Sequence, residues 1–218
     1  MSRLVAIAIF VLLANPGAAK ARDLLIFGDS LSAAYGIDVN AGWPQLLNER
    51  LRAAGYRLTV VNASISGETT AGGARRIGKL VNQYSPLCVL VALGANDGLR
   101  GLDPEETYRN LATILESIEQ ADACVILVKI RIPPNYGPQY TAAFEAVFDR
   151  LGHRENVIYA PFFLERIALD PAAFQADGLH PTAAAQARIL DTLWPSIVSA
   201  MDGAMASSRS ALHEDALP

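Results

Sequence analysis

Five apolar runs of strand length recur along the chain, at Asp23–Phe27, Leu58–Asn62, Cys88–Leu93, Cys124–Ile130 and Val157–Ala160. Segments with helical periodicity lie between them. Trp43, Leu46, Leu47, Leu51 and Ala54 share one helical face ahead of Gly55, a stop signal. Tyr108, Leu111, Leu115 and Ile118 do the same after Asp103-Pro104, a capping residue followed by proline at the first helical position. Phe144, Val147, Phe148 and Leu151 mark a third helix. Ile189, Leu190, Leu193, Ile197 and Met201 mark a last one, which Pro195 is expected to kink or split. Strands alternating with helices predict right-handed crossovers and a mostly parallel five-stranded sheet, an α/β domain with both faces covered. No internal repeat and no interdomain linker interrupts the pattern.

The chain of 218 residues, 51% of them hydrophobic and 18% charged, is long enough to bury one full core. Its 16 glycines and 12 prolines are ordinary usage and exclude a fibrous or disordered protein. A formal charge of −4 argues against a nucleic-acid partner, which calls for a basic surface. Two cysteines and three histidines suit neither a disulfide scaffold nor a histidine-rich metal site.

Residues 1–21 read as a signal peptide. Arg3 precedes an apolar stretch from Leu4 to Ala14, and Ala19-Lys20-Ala21 has the small-x-small form of a cleavage site. A buried N-terminal helix is the competing reading. The run is short of the roughly 20 residues that span a bilayer, and no cysteine follows it to carry a lipid. The expectation is a periplasmic or secreted protein without a stable membrane anchor, starting at Arg22. Arg3 and Lys20 are the only charges removed, so the formal charge becomes −6. Residues 22–202 form the expected domain, and the small, polar, aperiodic residues 203–218 a mobile tail carrying His213. In an oxidising compartment Cys88 and Cys124 could pair. Neighbouring parallel strands make a poor frame for a disulfide, however, and two buried thiols are the favoured reading. A monomer is expected.

In open α/β sheets ligands bind beyond the carboxyl ends of the strands. There the sequence places Gly28-Asp29-Ser30, Ala63-Ser64-Ile65-Ser66-Gly67, Gly94-Ala95-Asn96-Asp97, the segment Ile130–Tyr136 and, after a longer excursion, Asp177-Gly178-Leu179-His180-Pro181. A serine hydroxyl needs an imidazole to take its proton, and the imidazole needs a carboxylate to fix its tautomer. His180 and Asp177, three residues apart across Gly178, can meet that need in one turn. Ser30 fits the nucleophile, although it and Asp29 would also suit a helix N-cap. Ser64 and Ser66 compete with it. No Gly-x-Ser-x-Gly elbow occurs. The Ser30 and Gly67 amides with the Asn96 side chain would supply three donors to an oxyanion; singly, Gly67 reads as a turn glycine and Asn96 as a loop cap. Two other classes remain in view. An anion could bind the amides after Gly28, or Asp29, Asp97, Asp177 and His180 could hold a metal.

GDSLSAAYG (Gly28–Gly36), the Gly67 in NASISGETT, GANDGLRG (Gly94–Gly101) and DGLHP (Asp177–Pro181) resemble, in order, the four blocks of the SGNH or GDSL hydrolases. RIPPNYG (Arg131–Gly137) is similar to a segment of that family's thioesterase I, lysophospholipase and arylesterase group. The resemblance implies a flavodoxin-like three-layer α/β/α domain. It implies Ser30 as nucleophile, His180 as base, Asp177 as its orienter, and Ser30, Gly67 and Asn96 as the oxyanion hole. It also implies a wall of an acyl groove built from Ile132, Pro133 and Tyr136, with no metal and no cofactor. The same apolar loop can equally be read as a connector packed on the core. Ala95 departs from the group, which often has a second glycine there; the added methyl beside Asn96 would narrow the site. The expected substrates are lysophospholipid, fatty-acyl or aryl esters and thioesters. Acetyl esters of sugars are the rival within the enzyme class, and a non-catalytic ligand-binding protein the rival outside it.

Overall fold

Residues 23–214 are described in the computed structural model. The segment read as a signal peptide, Arg22 and residues 215–218 lie outside the described residues. The strands are β1 (Leu24–Gly28), β2 (Val60–Asn62), β3 (Cys88–Ala92), β4 (Cys124–Val128) and β5 (Val157–Ala160), each bounded within two residues of its apolar run. All pair in parallel, in the order β2-β1-β3-β4-β5. Every residue of β1 and β3 is buried, as continuous apolar runs in a doubly covered sheet require. β2 is the short edge strand, partly exposed, and starts at Val60 rather than Leu58. The order is that of the flavodoxin-like doubly wound fold, and the chain reverses direction across the sheet between β1 and β3.

The helices are α1 (Trp43–Ala53), α2 (Thr70–Tyr84), α3 (Ala95–Leu99), α4 (Pro104–Glu119), α5 (Pro138–Gly152) and α6 (Gln186–Glu214). α1 packs with α6, while α2, α4 and α5 pack side by side, which gives the three layers. Asp103 caps α4 through the Glu105 amide ahead of Pro104. α2 has no counterpart in the apolar pattern. Three glycines weaken its helical signature, yet packing demands one of them: a Cβ on Gly73 would lie 2.6 Å from Leu93 and 3.2 Å from Phe27.

Two expectations about the C-terminal region change. α6 runs unbroken through Pro195, because buried Leu190, Leu193, Ile197 and Met201 hold the segments on either side against the core. The same helix continues past Gly203 to Glu214, so the tail from 203 is helical over most of its length. His213 lies on it.

The favoured reading of the cysteines is also corrected. Cys88 and Cys124 form a disulfide, with Cα atoms 4.3 Å apart. They are the first residues of β3 and β4 and are register partners. Register partners point to the same face, and this brings two sulfurs together in a parallel pair. The bridge closes a loop across a sequence separation of 36. Replacing both cysteines by alanine should remove about 3–4 kcal/mol and lower the melting temperature by about 10 °C. Differential scanning calorimetry checks this, and an unchanged melt would show the bridge to be dispensable.

Candidate active site

β1 ends at Gly28 in register with Ala92 of β3, so the loops leaving both strands start at one level. A side chain at Gly28 would place its Cβ 2.8 Å from Ser32 Oγ and 2.9 Å from the Ala92 carbonyl, and only glycine lets the chain turn there. The turn is then fixed from several sides. Asp29 Oδ1 accepts the Leu31 amide at 3.1 Å, and the Asp29 carbonyl accepts the amides of Ser32 and Ala33. Trp43 Nε1 donates to the Leu31 carbonyl and Asn62 Nδ2 to that of Ser32.

The second half of the site comes from the other end of the chain. Asp177 Oδ1 accepts the amides of Leu179 (2.9 Å) and His180 (3.0 Å), and Gly178 sits between at φ +69°. The other oxygen, Oδ2, is 2.7 Å from His180 Nδ1, and His180 Nε2 is 2.9 Å from Ser30 Oγ. Serine, imidazole and carboxylate therefore form one hydrogen-bonded line. Those two amides and the imidazole hold the Asp177 carboxyl down at about 2, so it stays ionised wherever an imidazole can lose its proton. Gln175 joins the halves: its Nε2 donates to the carbonyls of Tyr35 (2.8 Å) and Pro181 (3.1 Å), and its amide to that of His180. The Tyr35 ring lies 4.4 Å from the imidazole, centroid to centroid.

Gly67, at φ +80°, follows β2, and Asn96 lies in the first turn of α3. Arg100 Nη2 donates to the Gly67 carbonyl at 3.1 Å, and Asn96 Nδ2 to the Glu68 carbonyl at 3.0 Å. Below them, buried Asp97 accepts both the amide and the hydroxyl of Thr70, locking α3 to the start of α2. The loops of Gly67 and Asn96 are thus tied to each other. A serine hydroxyl hydrogen-bonded to an imidazole that is itself held by a carboxylate has the parts for acyl transfer.

Residues 26–188 match the model of the GDSL-like lipase/acylhydrolase family. The chain belongs to that family. It is 45% identical over 179 residues to the esterase TesA of Pseudomonas aeruginosa, covering 82% of this chain and 89% of the relative. Thioesterase 1/protease 1/lysophospholipase L1 of Escherichia coli is 44% identical over 183 residues, 84% and 86% of the two chains. A crystal structure of TesA superposes with a TM-score of 0.80 at 44% identity, over 82% of this chain and 99% of that one. The psychrotrophic esterase EstA from Pseudoalteromonas sp. gives 0.79 at 40%, over 83% and 99%.

The segment after β4 lies differently from an open wall. Ile132 is buried, and its Cγ2 fills the space beside Gly98 that a Cβ there would need. Tyr136 Oη donates to the Leu99 carbonyl at 2.8 Å, while Pro133 is exposed. Ile132 and Tyr136 buttress α3, the helix of Asn96. Asp29, Asp97 and Asp177 are each engaged by separate partners. No three His, Cys, Asp or Glu side chains converge as a ligand set among the described residues. Ala95 packs on the core at the start of α3.

Burial pushes the Asp29 carboxyl up from 3.8 to about 6, against the pull of the Leu31 amide and of His180. The folded chain therefore holds this proton where the unfolded chain has lost it. Asp29 makes folding less favourable as pH rises from 3.8 to about 6. The melting temperature of the Asp29→Asn variant relative to that of the wild type should therefore rise as pH goes from 3.8 to about 6. Parallel curves would show that another group titrates there.

Proposed function

We propose that the chain is an exported carboxylic ester hydrolase that acts on lysophospholipid, fatty-acyl or aryl esters and thioesters through a Ser30 acyl-enzyme. The unbroken line from Ser30 Oγ through His180 to Asp177, at 2.9 and 2.7 Å, carries this reading. The relatives named as esterase and as thioesterase and lysophospholipase support it.

His180 Nε2 takes the Ser30 proton as Oγ attacks the carbonyl carbon. The carbonyl π electrons move to oxygen, where the Ser30 and Gly67 amides and Asn96 Nδ2 stabilise the negative charge. His180 returns its proton to the leaving oxygen or sulfur, and the acyl group stays on Ser30. Water, deprotonated by His180, repeats the attack and releases the acid. Asp177 orients the imidazole and balances the imidazolium formed at each step. Apolar side chains suit the substrate: Tyr35, Ile65 and Leu179 are all about half exposed on the loops that carry Ser30, Gly67 and His180.

Export rests on the signal-like residues 1–21, and the Cys88–Cys124 bridge fits an oxidising compartment. The mass of the protein recovered outside the cytoplasm should correspond to a chain starting at Arg22; a full-length mass would contradict this.

Purified protein should hydrolyse p-nitrophenyl esters, with the preferred length between acetyl and palmitoyl separating lipid-type from acetyl-type substrates. Ser30→Ala should lower kcat by at least about 1000-fold without disturbing the melt. Asp177→Asn should lower it by roughly 100- to 10,000-fold, since the wrong tautomer of His180 is then stabilised. A Ser30→Ala enzyme that keeps its turnover would refute the acyl-enzyme.

A further inference from the structure

Tyr35 lies against His180, and the mechanism above gives its ring no part in the chemistry. The two ring centroids are 4.4 Å apart, with the planes inclined at 37°. The phenol is half exposed, so burial in the core is not what places it there. The backbone does that. The Tyr35 amide donates to the Ser30 carbonyl at 3.3 Å, and the Ile37 amide to that of Ala34 at 3.2 Å. Ala34 sits at φ +58° and Gly36 at φ +74°, on either side of the tyrosine. Left-handed backbone is unfavourable for a residue with a Cβ, and it persists only where the surroundings enforce it.

Part of that enforcement comes from the histidine loop. Gln175 Nε2 donates to the Tyr35 carbonyl at 2.8 Å, and Gln175 Oε1 fills the space that a Cβ on Gly36 would take. The Ala34 methyl abuts Gly42, where an added Cβ would come within 2.9 Å of it. Strain in the serine loop and a clamp from the histidine loop thus serve one result, a ring laid against the imidazole.

The imidazole has a use for such a contact. Its Nδ1 meets Asp177 Oδ2 at 2.7 Å, and its Nε2 meets Ser30 Oγ at 2.9 Å. Bonds at the two nitrogens fix the direction of the ring but do little against rotation about the line that joins them. A flat surface alongside resists that rotation. An aromatic face also attracts a cation within about 6 Å of its centroid. His180 becomes a cation at each proton transfer.

We propose that Tyr35 is a positioning residue for His180, whose ring holds the imidazole in line between Ser30 and Asp177 and stabilises the imidazolium. The inference rests on the catalytic reading above. Asp177 balances the positive charge at the edge of the imidazole, and Tyr35 does so across its face.

Tyr35→Leu keeps an apolar side chain and removes the aromatic face, while Tyr35→Phe keeps the ring and is the conservative rescue. Steady-state kinetics on p-nitrophenyl esters from acetyl to palmitoyl, with a melt for each protein, would compare both with wild type. Tyr35→Leu should lower kcat by about 5- to 30-fold with KM within about twofold. The factor should be the same at every acyl length, because acylation and deacylation both pass through the imidazolium. Tyr35→Phe should restore kcat to within about threefold of wild type.

A Tyr35→Leu enzyme as fast as wild type would overturn the inference, as would a Tyr35→Phe enzyme as slow as Tyr35→Leu. A loss that appears in KM, or that grows with the acyl chain, would make Tyr35 a wall of the substrate site and overturn it too. Tyr35→Met repeats the test if Tyr35→Leu does not melt cooperatively, and failure of both would assign the ring to folding against the inference. A wild type indifferent to Ser30→Ala would instead refute the catalytic reading, and the inference would fall with it.

Discussion

Loops from two parallel strands can meet over one point only if the strands end at the same height, and the β1–β3 ladder sets that height. Its register pairs Leu24 with Cys88 at one end and Gly28 with Ala92 at the other, and all ten residues are buried. A slip by one residue would turn each of these apolar side chains to the opposite face and separate the loops that leave Gly28 and Ala92. The sheet changes direction at this pair, and the crevice so formed receives Ser30 from one strand and Asn96 from the other. Site geometry is therefore a consequence of core packing, transmitted through two turns.

Those turns are built from backbone groups tied down by neighbours. Asp29 and Asp177 both accept amides in the residues just after them, and each leaves one oxygen for a side chain across the site. The environments differ. Asp177 is surrounded by donors and remains ionised, while Asp29 is starved of water and holds its proton longer. Two carboxylates of similar local geometry thereby acquire different electrostatic roles.

Much of this was legible in the sequence, for reasons that differ by element. β1 and β3 stand out because strands buried on both faces must be apolar throughout. Asp177 and His180 stand out because their contact is local, three residues apart. α2 was hidden because its glycines serve contact with Leu93 and Phe27 and dilute the helical period. α6 overrode Pro195 through tertiary packing that no local propensity encodes. The bridge between Cys88 and Cys124 depends on strand register, which the apolar runs leave open by a residue or two. Gln175 and Tyr35 had no signal: a glutamine gripping a carbonyl 140 residues away looks like any surface amide.

The distance in sequence between Ser30 and His180 has a consequence in time. A chain extended from its N-terminus carries the serine, the Gly67 turn and Asn96 long before it carries the imidazole that meets Ser30. His180 is held by a turn leaning on Gln175, and α6 begins a few residues after that turn. A partly emerged chain thus has the Ser30 hydroxyl without its imidazole partner. On the proposed mechanism, reactivity arrives only with its last quarter.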